Sequence, residues 1–137
     1  MSKLNKYKIK ETLMLGLLSV IPYVSWAIYI NYSFGVDAII QVSITQSALS
    51  FFLTIFLTQI VIYFYQFGKN FRFKLVLATF CSSLFSNLFV YSIHYLAGTP
   101  SIIMTMLPGS LFGFLYAFIY CFRLAGKLTS ITNKFKM

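Results

Sequence analysis

The sequence predicts an all-α fold, a bundle of four helices that crosses a membrane. Of its 137 residues, 59% are hydrophobic and only 9% are charged. Soluble domains carry about 25% charged residues, so this chain has too little charge to cover a surface that faces water. Between Thr12 and Tyr65 the only charged residue is Asp37. No Asp, Glu, Lys or Arg lies from Leu75 to Phe122, and such long uncharged stretches are typical of an integral membrane protein.

The first two helices follow from the first of these stretches. A helix needs about 20 apolar residues to cross about 30 Å of hydrocarbon, and the run over about 12–31 is just long enough before the glycine-containing turn around Gly35. The second helix covers about 38–66, with Asp37 as a favoured type of N-cap. A helix from Asp37 to Tyr65 would be about 43 Å long, so we expect it to tilt or to project from the membrane.

The other two helices occupy the second uncharged stretch. The third covers about 73–96, after the break at 68–70 and before the turn at 97–100. The fourth covers about 100–124, with Thr99 as the expected N-cap and Pro100 at the first helical position, a favoured pairing. A polar, basic tail at 125–137 completes what we expect to be a single domain over residues 1–137.

The positions of the cations predict how the bundle is oriented. Every Lys and Arg lies before the first span, at the connection between the second and third spans, or at the C-terminal end of the fourth and beyond, and the other two loops have none. Basic loops stay in the cytoplasm, so we expect both termini to be cytoplasmic, in an inner or plasma membrane. The eleven cations are Lys3, Lys6, Lys8, Lys10, Lys69, Arg72, Lys74, Arg123, Lys127, Lys134 and Lys136.

The first span has a second interpretation. A basic start, an apolar stretch and Ser25-Trp26-Ala27 are also compatible with a signal peptide and its small-residue cleavage site. The apolar run continues beyond this point, and Pro22 lies well inside it. We therefore expect an uncleaved first span, while cleavage would leave three spans with unchanged orientation.

Small residues recur at every fourth position of the fourth span, from Ser101 to Ala125. They lie on one helix face, where small side chains let another backbone approach closely. We therefore predict a packing seam at Thr105, Gly109, Gly113 and Ala117, although a hinge or substrate groove would need the same pattern. Pro108 is expected to kink this helix and to free backbone carbonyls, which Thr105 or a neighbouring helix would satisfy.

Polar residues also share faces on the second and third spans. In hydrocarbon these must face protein or water, yet interhelical hydrogen bonds in membranes contribute only about 0.6 kcal/mol on average. The polar residues of the second span, which we call the stripe, either pack and bond to their own backbone or line a polar pathway. On the third span, Asn87 either joins two helices by a hydrogen bond or contacts a ligand. The candidate pathway residues are Ser43, Gln46, Ser47, Ser50, Thr54 and Asn87.

Asp37 and His94 are the only acidic residue and the only histidine on the predicted outer side. Their loops would meet at the mouth of the bundle, so they form a candidate outer-face pair. One His and one Asp, with the thiols of Cys81 and Cys121 expected near the opposite face, do not make a metal site. We predict no metal and no cofactor.

These features favour a function without catalysis. The sequence has no acidic or basic residue at mid-membrane, no nucleophile–base arrangement and no phosphate-binding loop. We therefore expect a non-enzymatic membrane protein that moves or holds a lipid-like or small amphiphilic substrate. The alternative is a structural or accessory subunit that packs against other membrane helices. Expected partners are membrane lipids and a second copy or another membrane protein; nucleic acid is not expected, because the cations flank apolar spans.

Overall fold

A computed structural model describes the backbone of residues 3–134 and the side chains of residues 14 and 16–126. Over this part of the chain the structure contains helices and turns and no strand. A short 3₁₀ turn, Tyr32–Phe34, links the first two helices. The helices are α1 (Lys3–Asn31), α2 (Val36–Tyr65), α3 (Phe71–Leu96) and α4 (Ile102–Lys134). The predicted all-α four-helix fold is thereby confirmed.

All four helices are long and apolar enough to cross a membrane, with qualifying segments at Gly16–Phe34, Val36–Tyr65, Phe71–Leu96 and Ile102–Gly126. Their outer faces carry large apolar side chains such as Leu96 and Ile103, which are 79% and 74% exposed. Among the described side chains, buried polar residues are as numerous as buried apolar ones. An apolar exterior around a partly polar interior is the distribution expected of an integral membrane protein, whose surroundings are lipid.

Three short connections reverse the chain, so that consecutive helices are antiparallel and pack side by side. Contacts fix the register: the end of α1 meets the start of α4 through Asn31 and Thr105, and α2 meets the end of α3 through Gln46 and His94. We call the end of the bundle that contains these contacts the His94 end. The opposite end holds the α2–α3 connection and every described cation, and we call it the basic end.

Two glycines allow the turns at the His94 end. Gly35 and Gly98 have φ angles of 94° and 71°, in the region where a side chain would be strained. Gly35 is the N-cap of α2, so Asp37, predicted to be the N-cap, lies instead in the first turn of the helix. A carboxylate there still interacts favourably with the helix dipole.

The helix limits differ from the predicted spans mainly at the two chain ends. The helix α1 begins at Lys3 rather than near residue 12, and α4 continues to Lys134 through most of the predicted tail. Lysine and leucine are good helix formers, so the backbone continues as helix where the apolar run stops. The helix α4 begins at Ile102, two residues after the expected start at about residue 100, and the hydroxyl of Thr99, the expected N-cap, bonds to the His94 ring.

Candidate functional site

A cavity of about 570 Å³ lies between the four helices. All four helices contribute to it, and more than half of its lining residues carry a hydroxyl or an amide. None of the described residues that line it is acidic, basic or histidine. Its polar lining residues are Ser19, Tyr23, Gln46, Ser50, Thr54, Thr58, Ser83, Ser86, Asn87, Ser110 and Tyr116. The cavity extends along α2 from Gln46 to Thr58, which is about 18 Å of helix.

Four polar side chains, one from each helix, lie at a similar depth in this cavity. Thr54 is eight residues from Gln46 on α2, and Asn87 is seven residues from His94 on α3. Because Gln46 and His94 bond to each other, Thr54 and Asn87 both lie about 11–12 Å from that pair, toward the basic end. The Ser19 and Thr54 hydroxyls are 3.0 Å apart, and the Ser110 hydroxyl donates to Asn87 Oδ1. We call Ser19, Thr54, Asn87 and Ser110 the polar belt. It crosses the bundle near the middle of the apolar spans.

The belt and its neighbours retain unused hydrogen-bonding capacity. Asn87 uses its amide nitrogen on the Ser83 carbonyl, one turn earlier in α3. The buried hydroxyl oxygens of Ser83 and Ser86 have no hydrogen-bond partner in the structure, and both residues line the cavity. A buried hydroxyl without a partner costs free energy. These two serines therefore distinguish the cavity from an ordinary packed interface.

A buried hydrogen-bonded chain closes the cavity toward the His94 end. His94 is fully buried, with Nε2 2.9 Å from Gln46 Oε1 and Nδ1 2.9 Å from the Thr99 hydroxyl. Because Gln46 Oε1 only accepts hydrogen bonds, Nε2 must carry the proton, and a neutral ring then accepts from Thr99 at Nδ1. Gln46 also donates to the Ser50 hydroxyl at 3.3 Å. The chain ties α2, α3 and the α3–α4 turn together above the cavity.

A second buried cluster joins α1 to α4 at the same end. Asn31 is fully buried; its amide nitrogen donates to the Thr105 hydroxyl at 2.7 Å, and its oxygen accepts from the Ser101 backbone nitrogen at 3.0 Å. Nearby, the indole nitrogen of Trp26 donates to the Met104 carbonyl at 2.9 Å. That carbonyl is the one that Pro108, four residues later, cannot bond. The neighbouring helix thus satisfies a carbonyl freed by the proline, one of the two predicted solutions.

Toward the basic end the cavity gives way to an apolar cluster. Val61, Tyr65, Ala78, Ala117 and Cys121 are all buried and contact one another. The described cations lie beyond this cluster, and Lys74 extends its ammonium group over the Tyr65 ring at 5.1 Å from the centroid. A layer of packed apolar side chains therefore separates the cavity from the cations whose side chains the structure describes.

The predicted pathway residues divide into two sets. Gln46, Ser50, Thr54 and Asn87 line the cavity. Ser43 and Ser47 do not; their hydroxyls donate to the carbonyls four residues earlier, those of Ile39 and of Ser43. This is the backbone-bonding alternative that we considered for the whole stripe, and it holds for these two serines.

The predicted seam residues also have different surroundings. Thr105 and Ala117 are buried, one in the Asn31 cluster and the other in the apolar cluster. Gly109 and Gly113 border the cavity, and a Cβ added at either would meet its nearest neighbour at 3.9 Å, an ordinary contact distance. No close backbone approach requires these glycines, so the space beside them belongs to the cavity.

The outer-face pair of Asp37 and His94 is not formed. Both ring nitrogens of His94 bond to Gln46 and Thr99, while Asp37 is exposed at the start of α2. Within the described part of the chain no group of His, Cys, Asp or Glu residues could hold a metal ion. Cys81 and Cys121 are free thiols.

Several residues of the site are not predicted from the sequence. Ser19 and Ser110 belong to the polar belt, and Tyr116 donates to or accepts from Thr58 at 2.6 Å across α2 and α4. Ser110 directly follows Gly109, which belongs to the series of small residues on the fourth span. That series predicts helix packing and gives no sign of a polar contact at the next residue. Ser19 is a single hydroxyl in an apolar run, which by itself predicts nothing about where it points.

The helix α1 is continuous across the candidate cleavage site at residues 25–27. Ala27 is fully buried and Trp26 bonds to α4, so this segment is packed into the bundle.

Comparisons with known proteins give no further identification. No protein family matches the chain, no curated protein matches it, and no solved structure matches its fold.

Proposed function

We propose that this is a non-enzymatic membrane protein that holds or moves a lipid-like or small amphiphilic molecule in the cavity between its helices. The observation that carries the proposal is the uncharged cavity of about 570 Å³ between the helices, whose largely apolar lining also carries hydroxyls and amides. Its volume falls within the range of about 300–1,000 Å³ typical of small-molecule sites. Leucine, valine and phenylalanine side chains line it together with the hydroxyls, which suits a ligand with one apolar and one polar part.

A structural or accessory role is the second candidate, and a specific observation favours it too. Two members of the polar belt bond to each other across α1 and α2, and the other two bond across α3 and α4. Such pairs are the usual means by which polar side chains join helices in lipid. Under this proposal the belt would only hold the bundle together, and a partner helix would cover part of the outside.

Membrane lipids are the partners that we expect first, with a second copy or another membrane protein for an oligomeric form. We also propose that both termini are cytoplasmic in an inner or plasma membrane. The support is the charge distribution: Lys69, Arg72, Lys74 and Arg123 all lie at the basic end of the described bundle, and basic segments stay on the cytoplasmic side.

Thiol labelling in native membranes separates the two functions. In a background with Cys81→Ser and Cys121→Ala, single cysteines replace Ser50 and Thr54, which line the cavity, and Ala48, which is exposed on the outside of α2. A membrane-impermeant, water-soluble thiol reagent reacts with thiolates in water and leaves thiols in lipid intact. We expect labelling of the first two variants and protection of the third.

Ser47→Cys is the matched control on the same helix, because Ser47 neighbours the cavity residues without lining it. If the variants at Ser50 and Thr54 are as protected as those at Ser47 and Ala48, the cavity is dry and inaccessible. That result would contradict the transport proposal and leave the accessory-subunit proposal.

A further inference from the structure

We infer that the cavity selects an amphiphile whose polar end is uncharged and bears several hydroxyls, such as a glycerol or sugar-type headgroup. This inference rests on the proposed function and specifies its substrate class. It places the headgroup at the polar belt, Ser19, Thr54, Asn87 and Ser110, with the apolar chain along the leucine-rich part of the lining.

The charge of the lining excludes an ionic headgroup at this depth. None of the described lining residues carries a charge, and an ion moved from water into such surroundings is strongly destabilised without a partner. Thr54 lies eleven residues, about 17 Å along the helix, from Tyr65 in the apolar cluster, and the described cations lie beyond that. Among the side chains that the structure describes, a phosphate at the belt would therefore find no cation within reach.

The hydrogen-bonding groups match a polyol better than other neutral groups. A hydroxyl both donates and accepts, whereas an ester only accepts. The belt groups are of the same mixed kind, although each already bonds within the protein: the hydroxyls of Ser19, Thr54 and Ser110, and the amide of Asn87. A ligand hydroxyl would use the second N–H of the amide and the remaining oxygen lone pairs. The Ser83 and Ser86 hydroxyls, buried beside the cavity and without partners, would each gain a hydrogen bond if side-chain rotation brought them to a ligand hydroxyl.

The size of the cavity suits a small amphiphile. It extends about 18 Å along α2 from Gln46 to Thr58, which is long enough for a headgroup followed by part of an alkyl chain. Leu49, Leu53 and Leu57 follow the same face of α2 and line the cavity.

A pair of photoreactive lipids that differ only in charge tests the inference. The full-length protein is placed in phosphatidylcholine nanodiscs with a diazirine-bearing monoacylglycerol or with the lysophosphatidic acid of the same chain. After illumination, mass spectrometry identifies the crosslinked peptides. We expect the monoacylglycerol to crosslink to cavity residues of α2 and α4, and the lysophosphatidic acid to crosslink there at least fivefold less, because its phosphate has no partner at the belt.

Two sets of variants test the role of the hydroxyls. The double variant Ser83→Ala/Ser86→Ala should weaken saturable monoacylglycerol crosslinking about sevenfold, the factor that two hydrogen bonds of average strength in a membrane represent. Ser92→Ala is the matched control on the same helix, because Ser92 is exposed and bonds only to its own backbone at Leu88. Gly113→Leu, which fills part of the cavity, should abolish cavity crosslinking by steric exclusion.

Each outcome supports or contradicts a defined statement. Equal or stronger cavity crosslinking by the lysophosphatidic acid would contradict the neutral-headgroup inference and leave lipid binding in place. An unchanged signal in the double serine variant would contradict the hydroxyl recognition. Absence of cavity crosslinking by both lipids, or crosslinking that Gly113→Leu does not reduce, would contradict the proposed function itself.

Discussion

The hydrogen bond from Trp26 to Met104 leads to a quantitative prediction about Pro108. The Trp26 indole donates to the Met104 carbonyl at 2.9 Å, the carbonyl that a residue other than proline at position 108 would bond through its own N–H. Pro108→Ala restores that N–H. We therefore expect Trp26→Phe to destabilise the protein more when Pro108 is present than when alanine replaces it.

The magnitude follows from the energy of one interhelical hydrogen bond in a membrane. Such bonds average about 0.6 kcal/mol and reach about 1.7 kcal/mol. Trp26→Phe also removes part of the packed ring, but that loss occurs in both backgrounds and cancels in a double-mutant cycle. The coupling free energy between Trp26 and Pro108 should thus be about 0.6–1.7 kcal/mol, with the indole more important in the proline background.

Unfolding in mixed micelles provides the assay, with Cys121 as the probe. Its thiol is fully buried in the apolar cluster, so a maleimide reacts with it only when the bundle opens. In a Cys81→Ser background, the labelled fraction at increasing sodium dodecyl sulfate gives the free energy of unfolding of each variant. Ser25→Ala is the control for Trp26→Phe, since the Ser25 hydroxyl bonds only to its own helix at Ile21.

A coupling near zero would refute this reasoning, because the Met104 carbonyl would then gain nothing from the indole. Equal coupling for the Ser25→Ala control would refute it as well. In that case Pro108 would act through the general shape of α4 rather than through one freed carbonyl.

Three further predictions concern the same bundle and use the same unfolding assay unless stated. His94→Phe keeps an aromatic ring and removes two buried hydrogen bonds, so we expect the free energy of unfolding to fall by about 1–3 kcal/mol. The control Tyr95→Phe, at the exposed neighbour, should change the free energy of unfolding little. Equal losses in the two variants would argue against a stabilising role of the hydrogen-bonded chain at His94. Asn31→Leu removes the bonds to Thr105 and Ser101 and should cost about 1–2 kcal/mol, whereas no loss would show that the cluster does not hold α1 to α4. Gly113→Leu should fold, because a Cβ at this position meets Leu57 only at 3.9 Å. The leucine side chain should protect a cysteine at position 54 from water-soluble thiol reagents. Continued labelling of that cysteine would show that water reaches it by another path.

The fold was predictable because lipid imposes one strong rule. Every backbone polar group must bond within the chain, so an uncharged run of sufficient length becomes a helix. The short connections then make consecutive helices antiparallel. The limits of α1 and α4 were not predictable from the apolar runs, because helix continues into polar sequence wherever residues such as Lys3 and Lys134 tolerate it.

The site was only partly predictable, because side chains with the same periodicity have different surroundings. Ser47 and Ser50 both belong to the stripe on α2, yet one bonds to its own helix and the other lines the cavity. His94 was predicted to pair with Asp37 at the mouth of the bundle, but from the last turn of α3 its ring is buried against Gln46. Spacing places a residue on a helix face, and only the packing of the other helices determines what that face meets.

Packing alone accounts for most of the buried polar side chains but not for all of them. Ser19, Thr54 and Ser110 each bond across to another helix, as an accessory subunit would require. The hydroxyls of Ser83 and Ser86 have no hydrogen-bond partner in the structure, and alanine at either position would avoid the cost of a buried, unpaired hydroxyl. A ligand with hydroxyls of its own would offset that cost on entering the cavity, and these two hydroxyls therefore favour the ligand-binding proposal over the accessory one.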